Sequence, residues 1–321
     1  MNTINKDLRT AAFFLKYFSF SSKRGFKIAH WLCTKVAGSK LKGLENREVW
    51  IPRSGEDSNI RARIYLPLKM SGNDGRKLPV LLYLHGGGYL MGVPEIGHSR
   101  ISLLIKERNC VVVAPDYRKS PDHPYPAALD DCYDTLLWIK GNAEALGIRD
   151  DQMIVGGHSA GGGLTAALSL YVREKGTVNI AFQMPIYPMI DDRQTHGSAV
   201  NNTMPLWNSK TNKLGWDLYL RALHEKGEGV PVYAAPSRAQ DYSGLPPTIT
   251  FVGDIEPFKD ETIEYVENLQ KAGVPVQFEL FEGCFHGFET VVPNAAVSKA
   301  ADRFLSTAFA YGVDHYFAEQ A

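Results

Sequence analysis

Apolar and polar positions along this chain change their period several times, and each change marks an element. Val80-Leu81-Leu82-Tyr83-Leu84 and Cys110-Val111-Val112-Val113-Ala114 are unbroken apolar runs, the pattern of strands covered on both faces. Residues 47–52 and 60–66 are rich in β-favouring side chains and flank the polar turn Ser54-Gly55-Glu56-Asp57-Ser58, which predicts an antiparallel hairpin. Further strands are predicted at 153–155, 180–190, 248–252 and 274–281. Between strands the period lengthens. Leu129, Cys132, Leu136 and Ile139 recur at helical spacing over residues 127–141, a stretch that ends in glycine. Helices are likewise predicted over 160–175, 260–272 and 294–310. Strands alternating with helices predict an α/β fold: a mostly parallel sheet of eight strands, with right-handed crossovers and helices on both faces.

Two stretches break that rhythm. Residues 1–45 read as helical, with Phe13, Phe14, Phe18, Phe20, Trp31 and Leu32 as large apolar side chains. Residues 191–246 carry several prolines, a predicted helix at 210–223 and no strand signal. The chain therefore divides into an N-terminal helical segment (1–45), a first core part (46–190), an insertion (191–246) and a second core part (247–321). The insertion is expected to lie over the carboxyl edge of the sheet, packed with the N-terminal layer. Residues 11–20 are apolar enough to suggest the core of a secretory leader, but Lys16 interrupts them and no small-residue cleavage site follows. An amphipathic helix is expected instead. No run reaches the ~18 apolar residues that a membrane span needs, so no membrane insertion is expected.

Thirty-five basic residues balance thirty-five acidic ones, which points away from a nucleic-acid or anionic-membrane partner and toward a neutral small molecule. Cys33, Cys110, Cys132 and Cys284 are scattered without C-x-x-C spacing and read as reduced residues of a cytoplasmic protein. Neither H-E-x-x-H nor a cysteine–histidine cluster can be written, so no metal or other cofactor is expected.

Two glycine-rich turns carry the candidate chemistry. Apolar Met153-Ile154-Val155 leads into Gly157-His158-Ser159-Ala160-Gly161, and a small-residue helical stretch leads out. A serine at the tip of such a strand–turn–helix is thrust out of the packed layer, with glycines on either side allowing strand and helix to approach. Next, His85-Gly86-Gly87-Gly88-Tyr89 follows the strand ending at Leu84. Successive glycines let backbone N–H groups face a site at close range, and in acyl transfer such donors stabilise the oxyanion by ~3 kcal/mol each. No phosphate-loop pattern fits these glycines. A serine needs a base, and the base needs an orienting carboxylate, in the chain order Ser, acid, His. His286 lies just beyond the last predicted strand. Asp254, Glu256 and Asp260 compete for the acid.

Five blocks then fall in a familiar order: His85-Gly86-Gly87-Gly88; Asp116-Tyr117-Arg118 with Pro121-Asp122-His123-Pro124-Tyr125-Pro126-Ala127-Ala128; Gly157-His158-Ser159-Ala160-Gly161-Gly162; Glu256-Pro257-Phe258-Lys259-Asp260-Glu261; and His286-Gly287-Phe288. Together they resemble the hormone-sensitive lipase family of esterases, over about two-thirds of the chain. The resemblance implies an α/β-hydrolase fold with a helical cap, and a serine carboxylesterase with Ser159 as nucleophile, His286 as base and Glu256 as acid. Alignment on the proline selects Glu256, where the family usually has aspartate. Amides of Gly86, Gly87 and Ala160 would hold the oxyanion. His158 replaces another usual aspartate and is expected to tune the loop network or pH profile without joining the triad. Tyr89, His158, Trp207, Trp216 and Tyr219 are expected to line or close the pocket, with cap core as the competing role for the insertion's aromatics. Short-chain acyl esters are the expected substrates, and acetylated sugars or other small molecules the alternative. Outside enzymes, the same fold serves ligand receptors; the intact Ser159, Glu256 and His286 argue against that role here. A homodimer through the last strand is also an implication of the resemblance.

Overall fold

The computed structural model describes residues 3–15, 22–68 and 77–320. Its strands are Leu44–Pro52 (β1), Asn59–Pro67 (β2), Leu78–Leu84 (β3), Val111–Pro115 (β4), Ile148–His158 (β5), Phe182–Ile186 (β6), Thr248–Gly253 (β7) and Val276–Phe281 (β8). They form one eight-stranded sheet in the order β1-β2-β4-β3-β5-β6-β7-β8. β1 pairs antiparallel with β2, and β2 antiparallel with β4; from β4 to β8 every pairing is parallel. The helices are Arg9–Leu15 (α1), Lys23–Thr34 (α2), His98–Glu107 (α3), Ala127–Gly141 (α4), Ala143–Leu146 (α5), Ala160–Lys175 (α6), Ser209–Tyr219 (α7), Arg221–Lys226 (α8), Lys259–Lys271 (α9), Phe288–Val291 (α10) and Ala296–His315 (α11).

The unbroken apolar runs are explained by two cores. Val80, Leu82 and Leu84 of β3 join the core on one face, and Leu81 and Tyr83 join that on the other. Val111 and Val113 of β4 separate from Val112 and Ala114 in the same way, as do Met153 and Val155 of β5 from Ile154. A period of two with helices on both faces leaves no position for a polar side chain.

The expected strand at 180–190 ends at Ile186, because Tyr187 turns to a positive φ of 33° and Pro188 follows. The expected helix at 210–223 breaks at Leu220, whose φ of −93° and ψ of 4° end α7 and begin α8. Among the described residues of the N-terminal segment, α-helix covers only α1 and α2, and β1 already begins at Leu44. Lys16, Phe18 and Phe20 lie outside the described residues. α3 was not expected, although Ile101, Leu104 and Ile105 carry helical spacing and are all buried.

Residues 191–246 contain α7, α8 and, among the described residues, no strand. Phe26 of α2 meets Trp207 edge-on at 6.1 Å between ring centres, so the N-terminal and inserted segments share one apolar layer. Arg118 holds Asp131 at 2.9 Å and Glu56 at 2.8 Å.

Candidate active site

β5 hands the chain to α6 through Ser159, which has φ 60° and ψ −120°. A non-glycine residue there costs about 1–3 kcal/mol and needs neighbours that over-determine it. Three backbone bonds supply them. Ser159 N–H donates to the Ile186 carbonyl at 3.0 Å, and its own carbonyl accepts from Gly163 at 2.8 Å and Met189 at 3.1 Å. A Cβ on Gly161 would run into the carbonyls of Leu84 and His85, and one on Gly157 into those of Leu84 and Gly161. The glycines are thus required by the closeness of β3, β5 and α6.

His286 returns from the loop after β8, and its Nε2 stands 2.9 Å from Ser159 Oγ. Its Nδ1 is hydrogen-bonded to Glu256 Oε2, in the loop after β7. The second oxygen, Oε1, accepts the Gly253 amide at 3.0 Å. All three side chains therefore come from the carboxyl ends of parallel strands, where an open α/β sheet leaves room for a ligand. Asp254 and Asp260 are turned elsewhere: Asp254 accepts the Gly283 amide at 2.6 Å, and Asp260 the Ser198 amide at 2.7 Å. Ser159 and His286 are each 7% exposed and Glu256 is fully buried. Burial holds the Glu256 carboxyl above its ordinary range, while the His286 ring and the Gly253 amide pull it down.

Gly86 and Gly87 lie beside the serine. A Cβ on Gly86 would stand 3.0 Å from the His158 carbonyl and 3.5 Å from Ser159 Cβ. Among the described residues, no hydrogen bond within the chain uses the N–H of Gly86 or Gly87. Ala160 is the first residue of α6, and the helix start has no side-chain cap, so its amide belongs to the unsatisfied first turn. His85 braces the loop from beneath. Its Nδ1–H donates to the Gly86 carbonyl at 2.7 Å, and its ring stacks on Tyr117 at 4.2 Å. Burial drives its pKa down to about 3.

A cavity of about 260 Å³ opens over the serine. Gly88, Met91, Ile96, Leu206, Trp207 and Val291 give it apolar walls, and one side is polar, with Tyr83, Arg100, His158 and Tyr187. His158 Nδ1 is 3.3 Å from the Tyr83 hydroxyl. Burial, then the charge of Arg100, keeps this imidazole well below its ordinary pKa and therefore neutral. The Tyr187 hydroxyl donates to Glu289 at 2.5 Å, and its ring lies 4.8 Å from that of His286.

Of the expected pocket residues, His158 and Trp207 line this cavity. Tyr89, Trp216 and Tyr219 do not, which corrects the expectation. Tyr89 stacks on Tyr219 at 4.0 Å, lies 5.6 Å from Trp216 and donates its hydroxyl to the Met189 carbonyl at 2.7 Å. These rings are consumed by the core under the insertion. Tyr83, Arg100 and Tyr187 were missed. Tyr187 directly follows β6 at the carboxyl edge, a positional signal that could have found it; Arg100 depended on recognising α3.

Residues 81–290 match the model of a family described as having the alpha/beta hydrolase fold. Esterase LipI of Mycobacterium tuberculosis is 32% identical over 265 residues, 81% of this chain and 81% of that protein. Carboxylesterase NlhH of the same organism is 32% identical over 244 residues, covering 74% and 75%. Among solved structures, a bacterial heroin esterase superposes with a TM-score of 0.87 at 34% identity, over 97% of this chain and 98% of that one. The family match over residues 81–290, and relatives of this identity and coverage, place the chain in the α/β-hydrolase fold family, among its hormone-sensitive lipase-like esterases.

Proposed function

We propose that this carboxylic ester hydrolase cleaves short-chain acyl esters through an acyl-enzyme on Ser159. Ser159 Oγ attacks the ester carbonyl while His286 Nε2 takes its proton, and Glu256 holds the imidazole in the tautomer that can accept it. Amides of Gly86, Gly87 and Ala160 receive the oxyanion. The alcohol leaves with the proton from His286, and water, deprotonated by the same ring, releases the acid. The observation that carries this reading is the 2.9 Å Nε2–Oγ contact on a ring whose other nitrogen is bonded to a buried carboxylate.

Chain length is inferred from space. A cavity of about 260 Å³ falls just below the ~300–1,000 Å³ common for ligand pockets, and Trp207 closes one side. Chromogenic esters from acetate to decanoate would test the assignment. Turnover is expected to peak at the short acyl chains and to vanish in Ser159→Ala; activity retained by that variant would overturn the mechanism. β8 is the edge of the sheet, and edge pairing into a homodimer belongs to the same proposal. Sedimentation of wild type against Leu280→Lys, a residue exposed on β8, would reveal it as loss of a dimer.

A further inference from the structure

The charge balance of the whole chain conceals a local asymmetry. Residues 8–44 contain eight lysines and arginines and no aspartate or glutamate. Arg24, Lys27, Lys35, Lys40 and Lys42 are exposed, and among the described residues none of them is ion-paired. Phe14, Ile28, Trp31, Leu32 and Val36 of the same stretch are each 43% to 60% exposed. On α2 the two kinds of side chain share one face. Arg24, Lys27, Ile28, Trp31, Leu32 and Lys35 recur at three- and four-residue spacing, while Phe26 and Ala29, on the opposite side, are buried. Lys35 Nζ lies over the Trp31 ring at 4.3 Å.

We propose that the outer face of α2, with the basic segment that follows it, docks on an anionic lipid bilayer. Exposed aromatic and aliphatic side chains interleaved with cations suit the boundary between headgroups and acyl chains. Among the described residues no helix is long and apolar enough to cross a membrane, so the contact is peripheral. A second copy of the same face is disfavoured as occupant, because it would set the unpaired cations against one another. The placement serves catalysis. Phe26, on the inner side of α2, packs against Trp207, which lines the cavity 6.3 Å from the His286 ring. A docked molecule thus holds its cavity beside a phase in which apolar esters concentrate.

The test is co-sedimentation of the full chain with phosphatidylcholine vesicles, with and without phosphatidylglycerol. Binding is expected only to the anionic vesicles and to fall with added salt. Lys27→Gln with Lys35→Gln should weaken partitioning about 25-fold, two cations at roughly fivefold each. Trp31→Ser with Leu32→Ser should also release the protein. Both variants should keep wild-type turnover of a water-soluble acetate ester, which separates failure of docking from failure of the catalytic reading. Absence of binding to anionic vesicles, equal binding to both compositions, or a change in oligomeric state in place of vesicle binding would overturn the proposal.

Discussion

Glu256 and Asp254 are two residues apart, yet one faces the imidazole and the other a backbone amide of the β8 loop. Loss of the first is therefore expected to act on chemistry and loss of the second on the loop. Glu256→Gln should lower kcat for an acetate ester by about 10⁴-fold through the wrong imidazole tautomer, whereas Asp254→Asn should leave it nearly unchanged. Glu256→Asp is informative in another way. One methylene fewer withdraws the carboxylate from Nδ1, and a misplacement of about 1 Å is expected to cost on the order of 10²-fold. Steady-state kinetics beside circular dichroism spectra would check all three. Equal loss in Asp254→Asn and Glu256→Gln would contradict the assignment. The residue types of this site were legible because serine, histidine and glycine clusters are rare in apolar surroundings. Among three neighbouring carboxylates the residues alone left the acid open and the family resemblance selected Glu256; the orientation that carries its carboxylate to Nδ1 is contained in no linear pattern.

Elements constrain glycines unequally. Gly161 stands where a Cβ would strike the carbonyls of Leu84 and His85, while Gly141, at the end of α4, faces open space. Gly161→Ala must push β3 away from α6, an overpacking that typically costs about 1–3 kcal/mol or more. Gly141→Ala should be neutral or stabilising by up to about 1 kcal/mol, since alanine loses less chain entropy. Thermal unfolding of both variants would show a lowered Tm for the first only. The same scale explains what the hydrophobic pattern read correctly and where it failed. β3, β4 and β5 were visible because both faces of each are covered. Tyr89, Trp216 and Tyr219 were misplaced because a pocket wall and a packed core draw on the same side chains.

At the scale of the whole molecule, buried neutral histidines tie stability to pH. His85, at about 3, and His158, held well below its ordinary value, remain unprotonated when folded, whereas an unfolded imidazole titrates near 6.5. Between those values the unfolded chain binds more protons, so these groups make unfolding easier as pH falls below about 6.5, by up to roughly 1.4 kcal/mol per pH unit for each. Glu256 and Glu261, raised by burial, act in the opposite sense, so a difference measurement is the cleaner probe. His158→Gln should show a shallower loss of stability than wild type in urea titrations from pH 7 to about pH 4; identical slopes would contradict the burial of a neutral ring. Taken by itself, the sequence determined the alternation of strands and helices, the strained serine turn, the glycine loop and the late histidine, because these rest on local periodicity and backbone freedom. Only the tertiary structure decided the orientation that brings Glu256 onto His286 and turns Asp254 and Asp260 away, that Arg100, Tyr83 and Tyr187 form the polar wall, and that the cations and exposed apolar side chains of α2 are left uncovered together. Those facts depend on contacts between segments far apart in the chain, or on which side of an element is left uncovered.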